Sequence, residues 1–162
     1  MGVRKSWARA GLVLAGVLAL DQATKALVRH GLAVGDRDPI LPGVELVHVR
    51  NDGVAFGALA GGGVLVAIVI GAAIAGLLVY FATHADKPLI WLPTGMLAGG
   101  ALGNIIDRVR DGSVTDFIKL PLWPAFNVAD MAITFGVLLL LYVIERPASE
   151  DGEDGDGADG GR

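Results

Sequence analysis

The sequence contains no cysteine, and it has few histidines and few serines. Without cysteine, the chain has no disulfide, no thiolate metal site, no cysteine nucleophile and no lipid-modified cysteine of its own. The three histidines, His30, His48 and His84, are far apart and match no metal-ligand spacing, so neither a metal nor another cofactor is predicted. A Ser/Lys peptidase would have to use Ser113 with Lys119, but no helical face or second base supports that dyad.

Charge is low and unevenly distributed. The formal net charge is −4, which gives no reason to expect nucleic-acid binding. Residues 145–162 carry seven acidic and two basic side chains, so most of the negative charge belongs to the carboxyl-terminal end. Residues 147–162 are rich in Gly and Asp and are predicted to form a disordered tail, whereas residues 1–146 form the folded domain.

Hydrophobic residues occur in runs long enough to cross a bilayer. No Asp, Glu, Lys, Arg or His occurs between Asp52 and His84, and about 20 apolar residues suffice to span about 30 Å of hydrocarbon. The other long runs contain at most a few ionisable side chains. We predict four transmembrane helices, at about residues 7–28, 58–82, 88–106 and 122–144.

The order of the spans predicts the topology. Basic residues precede the first span, as in a cleavable signal peptide, but three spans follow and no small-residue cleavage site precedes Asp21. The basic amino terminus is therefore expected in the cytoplasm, and four spans return the carboxyl-terminal tail there. Residues 31–57 and 107–121 then face the outside.

Both outer segments contain a strand candidate. Residues 44–50 are rich in β-branched side chains and end at the turn sequence Asn51-Asp52-Gly53. Residues 114–118 follow the turn sequence Asp111-Gly112. We expect the two strands to form a small sheet at the outer membrane surface.

Charged groups inside a membrane are costly, at least about 2.5 to 3.5 kcal/mol each, so they need a partner or a function. Asp21 and Lys25 lie one helical turn apart and form either a self-neutralising pair or part of a substrate site. In the third span, glycines recur every fourth residue and predict a close helix–helix contact. Asn104, Asp107 and Arg108 follow them and form either a polar network or side chains that reach the interface.

Asp130 allows two interpretations. Asn127 followed by Asp130 resembles a helix-capping box, and the two also begin a polar stripe on an apolar helix. Asp116 lies fourteen residues earlier, and the intervening segment is long enough to bring both carboxylates together at the membrane surface. Two close carboxylates cannot both ionise easily, so one keeps a proton while the other accepts one from water. That arrangement suits aspartic peptide hydrolysis without a metal.

Five motifs together resemble those of the lipoprotein signal peptidase family, also known as signal peptidase II. They occur in the family's order and cover the chain from the first to the fourth span, although Val54 replaces the usual Ala. The motifs occupy residues 21–25 (DQATK), 51–57 (NDGVAFG), 99–108 (GGALGNIIDR), 112–118 (GSVTDFI) and 126–130 (FNVAD).

The resemblance implies an all-α membrane protein, namely a four-helix transmembrane bundle with a small periplasmic β-cradle in the bacterial inner membrane. It implies an aspartic endopeptidase that cleaves diacylglyceryl-modified prolipoproteins on the amino side of the lipidated cysteine and is inhibited by globomycin. We also expect a monomer that contacts membrane lipids. Asp116 and Asp130 are the implied catalytic pair. The implied supporting residues are Asp21, Lys25, Asn51, Asn104, Asp107, Arg108 and Asn127.

Two other classes of membrane protein remain as alternatives. Asp21, Lys25 and Asp130 are suited to a relay in a proton-coupled transporter, but four short helices show no repeated half. In a purely structural protein, the carboxylates would only join helices. That interpretation does not explain why the charges cluster toward one membrane face.

Overall fold

The computed structural model of the chain describes residues 2–52 and 63–145. Within these ranges the chain forms four helices and three strands. In chain order they are α1 (Val3–Gly31), β1 (Arg37–Leu41), β2 (Val44–Asn51), α2 (Gly63–Thr83), α3 (Trp91–Asp111), β3 (Val114–Lys119) and α4 (Val128–Glu145).

The four predicted helices are present, but the bounds of the third were wrong. This helix begins at Trp91 rather than at residue 88, and it extends to Asp111, so residues 107–111 are helical rather than part of a loop. Its end is defined by Gly112, whose φ of 73° is left-handed and whose amide donates to the Arg108 carbonyl at 3.1 Å. Basic side chains in the last turn also favour this extension, because they interact with the negative end of the helix dipole.

The fourth helix begins at Val128, six residues later than predicted. Pro121 and Pro124 interrupt the preceding apolar run, and Asn127 caps the helix through a side-chain bond to the Asp130 amide at 2.9 Å. The second helix ends within a residue of its predicted end, whereas the predicted residues 58–62 lie outside the described ranges. The predicted tail, residues 147–162, also lies outside them.

Two of the described helices, α1 and α4, are long and apolar enough to cross a membrane. Within α2, residues Ile68–Thr83 form a shorter apolar helix. Many large apolar side chains of α1 and α4 are exposed, as a lipid environment requires. The count of four spans therefore stays a prediction.

The three strands form one antiparallel sheet in the order β1-β2-β3. Strands β2 and β3 confirm the two sequence candidates, and their pairing places Asn51 opposite Val114 and Val49 opposite Asp116. Strand β1 was not predicted, because Arg37, Asp38 and Pro39 interrupt the alternation of apolar and polar residues that is typical of a strand. As an edge strand, β1 tolerates a proline that cannot donate to a neighbouring strand.

Helix α3 lies between α1 and α4, and glycines permit close contacts on two of its faces. A Cβ on Gly95 would lie 2.6 Å from the Ala10 carbonyl oxygen of α1, and one on Gly99 would lie 2.8 Å from that of Leu14. These contacts confirm the predicted glycine face. A Cβ on Gly100 would lie 2.6 Å from the Ala129 carbonyl oxygen of α4, a contact that the four-residue spacing does not predict.

A buried ion cluster joins the same three helices. The Lys25 ammonium lies 2.9 Å from a carboxylate oxygen of Asp21 and 3.0 Å from one of Asp107, and all three side chains are almost completely buried. The other Asp21 oxygen accepts a bond from the Ala129 amide in the first turn of α4 at 2.9 Å. The predicted Asp21–Lys25 pair is therefore part of a larger cluster that fixes α1 against α3 and α4.

We predict that Gly99→Ala destabilises the protein by about 1–3 kcal/mol, the usual cost of overpacking. The added methyl group would force α1 and α3 apart, because its nearest neighbour is backbone. Gly71→Ala in α2 is the matched control, since its Cβ would meet nothing within 4 Å. Unfolding of both variants in detergent measures the difference, and equal stabilities would contradict the proposed packing.

We predict that Lys25→Met costs about 3–5 kcal/mol, because two buried carboxylates lose the cation between them. Arg37→Met is the control, since it removes the exposed Arg37–Glu45 pair and is expected to cost about 1 kcal/mol or less. Chemical unfolding in detergent compares the two variants. A Lys25→Met protein as stable as the control would show that the cluster does not hold the helices.

Candidate active site

Asp116 lies in the middle of β3, where two amide side chains bind its carboxylate. Asn51 at the end of β2 donates to one oxygen at 2.9 Å, and Asn127 before α4 donates to the other at 2.7 Å. Only 2% of Asp116 is exposed. The site therefore forms where the sheet meets the start of α4.

Asp130 lies in the first turn of α4 and performs two structural functions. One carboxylate oxygen accepts a bond from the Asn127 backbone amide at 3.3 Å, which completes the predicted capping box. The other oxygen accepts a bond from the Asn104 side-chain amide of α3 at 2.8 Å. Capping therefore does not prevent the carboxylate from facing its neighbours in the site.

Two asparagines connect the carboxylates. Asn127 bonds to Asp116 through its side chain and to Asp130 through its backbone, so one residue contacts both groups. Its side chain also donates to the Asn104 oxygen at 3.2 Å, and Lys25 donates to the same oxygen at 2.9 Å. Because Asn104 receives these bonds on its oxygen, its amide nitrogen must face Asp130.

The two catalytic candidates lie in different surroundings. Burial raises the pKa of Asp116 from 3.8 to about 6, and the negative charge of Asp130 adds to the effect. The hydrogen bonds from Asn51 and Asn127 and the charge of Lys25 lower this pKa, but they do not offset burial. Asp130 is partly exposed and lines a groove, whereas Asp116 is buried and does not line it.

The groove is an open cavity of about 680 Å³ between α2, α3 and α4. Apolar side chains such as Leu97 and Ile133 form most of its lining. Its charged and amide side chains are Asn104, Arg108 and Asp130, and apart from Tyr80 the other lining residues are apolar. The groove can therefore bind a long apolar group and expose a polar bond of that ligand to Asp130.

The predicted Asn104–Asp107–Arg108 network divides in two. Asp107 is directed toward α1 and belongs to the ion cluster. Arg108 lines the groove and donates to the Asn104 carbonyl at 3.2 Å. Among residues 2–52 and 63–145, no carboxylate lies within 4 Å of its guanidinium. The site therefore brings together all nine predicted residues, but only Asn104, Arg108 and Asp130 reach the groove.

Two further residues contact Asp107 but were not predicted as site residues. Gln22 donates to one Asp107 oxygen at 3.1 Å, and Arg29 lies 3.8 Å from the same oxygen. Arg29 also donates to the Thr115 hydroxyl at 3.3 Å and so connects α1 to β3. The sequence could have indicated Arg29, because Asp21, Lys25 and Arg29 recur every four residues on one helical face.

The Thr115 backbone amide completes the link between the ion cluster and the sheet. It donates to Asp107 at 3.2 Å, one residue before Asp116. No sequence signal identifies this contact, because any residue except proline has the same donor. Within the described residues, no three His, Cys, Asp or Glu side chains are grouped to hold a metal ion.

Comparison with known proteins identifies the family of this chain. A family profile described as signal peptidase (SPase) II matches residues 13–145. The lipoprotein signal peptidase of Moorella thermoacetica is 43% identical over 146 residues, which cover 85% of this chain and 93% of that protein. The corresponding protein of Pelotomaculum thermopropionicum is 42% identical over 135 residues, covering 82% of this chain and 89% of its own length.

Two solved structures have the same fold, and both are described as bacterial membrane enzymes determined by the in meso method. The one at 2.3 Å resolution is 30% identical with a TM-score of 0.79, and the match covers 91% of this chain and 94% of that chain. The one at 1.9 Å is 31% identical with a TM-score of 0.77, covering 86% and 94%. The chain therefore belongs to the signal peptidase II family, the lipoprotein signal peptidases, which are membrane proteases.

Proposed function

We propose that this protein cleaves diacylglyceryl-modified prolipoproteins on the amino side of the lipidated cysteine, with Asp116 and Asp130 as the catalytic pair. The observation that carries the proposal is the contact of Asn127 with both carboxylates beside an apolar groove. No cofactor takes part in the proposed reaction, because the pair supplies both an acid and a base.

Asp116 is the proposed acid and Asp130 the proposed base. Asp116 has the raised pKa expected of a carboxyl group that keeps its proton, and it is shielded from water. Asp130 lines the groove and therefore reaches water and substrate. The alternative assignment, with Asp116 as the base, predicts the opposite pH dependence.

The reaction proceeds in two proton transfers. Asp130 removes a proton from water, and the oxygen attacks the carbonyl carbon of the scissile peptide bond. The tetrahedral intermediate collapses when the carbon–nitrogen bond breaks, and Asp116 gives its proton to the departing nitrogen. The products are a signal peptide whose new carboxyl group ionises in water and a lipoprotein whose lipidated cysteine has a free amino group. Asp130 then releases its proton to water and Asp116 takes one up, which restores the pair.

The remaining polar residues position this pair or contact the substrate. Asn51 and Asn127 orient the Asp116 carboxylate, and Asn104 orients Asp130. The cluster of Asp21, Lys25 and Asp107 holds Asn104 through the bond from Lys25. Arg108 lies at the groove without a carboxylate within 4 Å among the described residues, so it is available to substrate carbonyl oxygens.

The groove suits the proposed substrate. A diacylglyceryl group remains in the bilayer, so its peptide bond reaches an enzyme only near the membrane surface. The apolar lining would contact acyl chains and the signal-peptide helix, and the sheet would contact the extended peptide near the cleavage site. We propose that the site lies at the outer face of the bacterial inner membrane, in a monomer with four spans and both termini in the cytoplasm.

We predict that Asp116→Asn and Asp130→Asn each reduce turnover of a diacylglyceryl prolipoprotein by about 10²–10⁴-fold, the range for loss of a positioned acid or base. Both substitutions preserve size, so the variants should fold and insert. Asp38→Asn, which changes an exposed carboxylate of β1, is the control and should retain activity.

Turnover of the purified variants in detergent, together with their unfolding midpoints, distinguishes catalysis from capping. If Asp130 only capped α4, its loss would cost about 1 kcal/mol of stability and leave the chemistry intact. Globomycin should inhibit the parent protein in the same assay. Proton flux in vesicles that persists with globomycin and needs no peptide would instead favour the transporter alternative.

The acid assignment also predicts a pH dependence. Since its pKa is raised, Asp116 keeps its proton between pH 3.8 and about 6 and loses it above this range. We therefore expect kcat/KM to fall as pH rises through the apparent pKa of the pair, approaching a tenfold loss per unit. Asn51→Leu removes a bond that lowers this pKa, so its alkaline limb should move to higher pH. A rate that rises through pH 6 would reverse the two roles.

A further inference from the structure

Four large apolar side chains are exposed at the tip of the sheet, and we name them the tip patch: Ile40, Leu41, Leu122 and Trp123. The first two belong to the β1–β2 hairpin, and the others follow β3. The two segments lie close together, because a Cβ added to Gly43 would be in van der Waals contact with Pro121 at 3.6 Å. An open cavity of about 680 Å³ lies between them. The tip patch lies on different residues from those of the catalytic groove.

Both the backbone conformation and the exposure of Leu122 are energetically unfavourable when this residue faces water. Its backbone has a φ of 59°, in the left-handed region that branched side chains rarely adopt, and its side chain is fully exposed. The turn is closed by its own bonds, since the Trp123 amide donates to the Leu120 carbonyl and Lys119 donates to the Trp123 carbonyl. A strained residue with an exposed apolar side chain points to an apolar binding partner.

Trp123 of the tip patch and the neighbouring Lys119 match a phospholipid surface. Among the described residues that line the same cavity, the one carboxylate, Glu45, lies 3.4 Å from Arg37. Tryptophan is enriched at the membrane–water interface, where lysine and arginine extend their charged ends toward the headgroups. Trp123 is 63% exposed, and Lys119 begins the same turn. Within the described ranges, no carboxylate lies within 4 Å of the Lys119 ammonium. Its charge is therefore available to a lipid phosphate.

An exposed apolar face of α4 begins a few residues after the tip patch. Met131, Phe135, Leu138 and Tyr142 are all exposed and recur at three- and four-residue intervals along one face of this helix. Trp123 lies five residues before the first residue of α4. Five residues span at most about 18 Å, so a membrane that covers this face of α4 reaches within about that distance of Trp123.

We propose that the tip patch inserts into the phospholipid leaflet on the active-site side of the membrane. Insertion would hold the sheet at a fixed height against the bilayer, and with it Asn51 and Asp116, which lie on β2 and β3. The proposal concerns membrane contact rather than peptide cleavage, so it extends beyond the proposed function and can be tested without a substrate.

The absence of cysteine makes site-specific labelling direct. Leu122→Cys, in an Asp116→Asn background, would carry an environment-sensitive fluorophore in phosphatidylglycerol/phosphatidylcholine vesicles. Leu138→Cys on α4 is the lipid-exposed reference, and Val34→Cys is an apolar position of similar exposure outside the patch. We expect the label at 122 to be quenched by nitroxide lipids as at 138. Its reduction by dithionite should be about tenfold slower than at 34, since hydrocarbon excludes the ion.

Three outcomes would overturn the proposal. Rapid dithionite reduction at 122 without lipid quenching would place the tip patch in water. Protection that appears only when a lipidated peptide is added would identify a substrate surface. Energy transfer between labelled copies, lost on dilution with lipid, would identify a contact with a second copy. Because the Asp116→Asn background is used and no turnover is measured, none of these results depends on the catalytic proposal.

Activity in vesicles provides a second test in the chain with Asp116 intact. Leu122→Asp should raise KM for a lipidated substrate severalfold with little change in kcat, because membrane contact is lost while the site is unchanged. Leu122→Gly should also raise KM, yet it should raise the unfolding midpoint, because glycine tolerates the left-handed backbone. Unchanged KM values for both variants would contradict a role for the tip patch in membrane contact.

Discussion

The buried ammonium of Lys25, held between two carboxylates, is the interaction on which the rest of this structure depends. A charge removed from water must be compensated locally, and here Asp21 and Asp107 lie within 3.0 Å of the same nitrogen. The carboxylates also accept backbone amides, from Ala129 in α4 and from Thr115 in β3. One cluster thereby fixes the relative positions of the three helices and the sheet.

The site follows from this cluster by a short chain of hydrogen bonds. Lys25 binds the Asn104 oxygen, so the Asn104 nitrogen faces Asp130, while Asn127 connects Asn104 to both proposed catalytic carboxylates. Each bond is geometrically demanding, because asparagine offers a donor and an acceptor on opposite sides. The site thus combines a hydrogen-bonded polar centre with an apolar groove, which suits the proposed lipid-modified substrate.

The sequence predicted the helices and two strands well, because run length and turn residues are local properties. It placed the start of α4 too early, since hydropathy does not register the effect of Pro121 and Pro124 on the backbone. It also ended α3 too early, because a charged end was taken for a loop although Gly112 terminates the helix. For the site, the sequence indicated the nine residues that the structure brings together, most of them from local pattern and Asn51 from the family resemblance alone. It missed Gln22 and Arg29, whose partners are more than 70 residues away.

The sequence by itself determined the membrane-type helices, the glycine face of α3 and most of the polar site residues, since each follows from composition and spacing along one element, whereas Asn51 follows only from the family resemblance. Only the tertiary structure decided which of those polar residues lie in the buried cluster and which line the groove. Asp107 enters the ion cluster while neighbouring Arg108 lines the groove, and Asp116 is buried while Asp130 borders the groove. The physical reason is that burial and hydrogen-bond partners depend on which elements pack together, and spacing along a chain does not specify that.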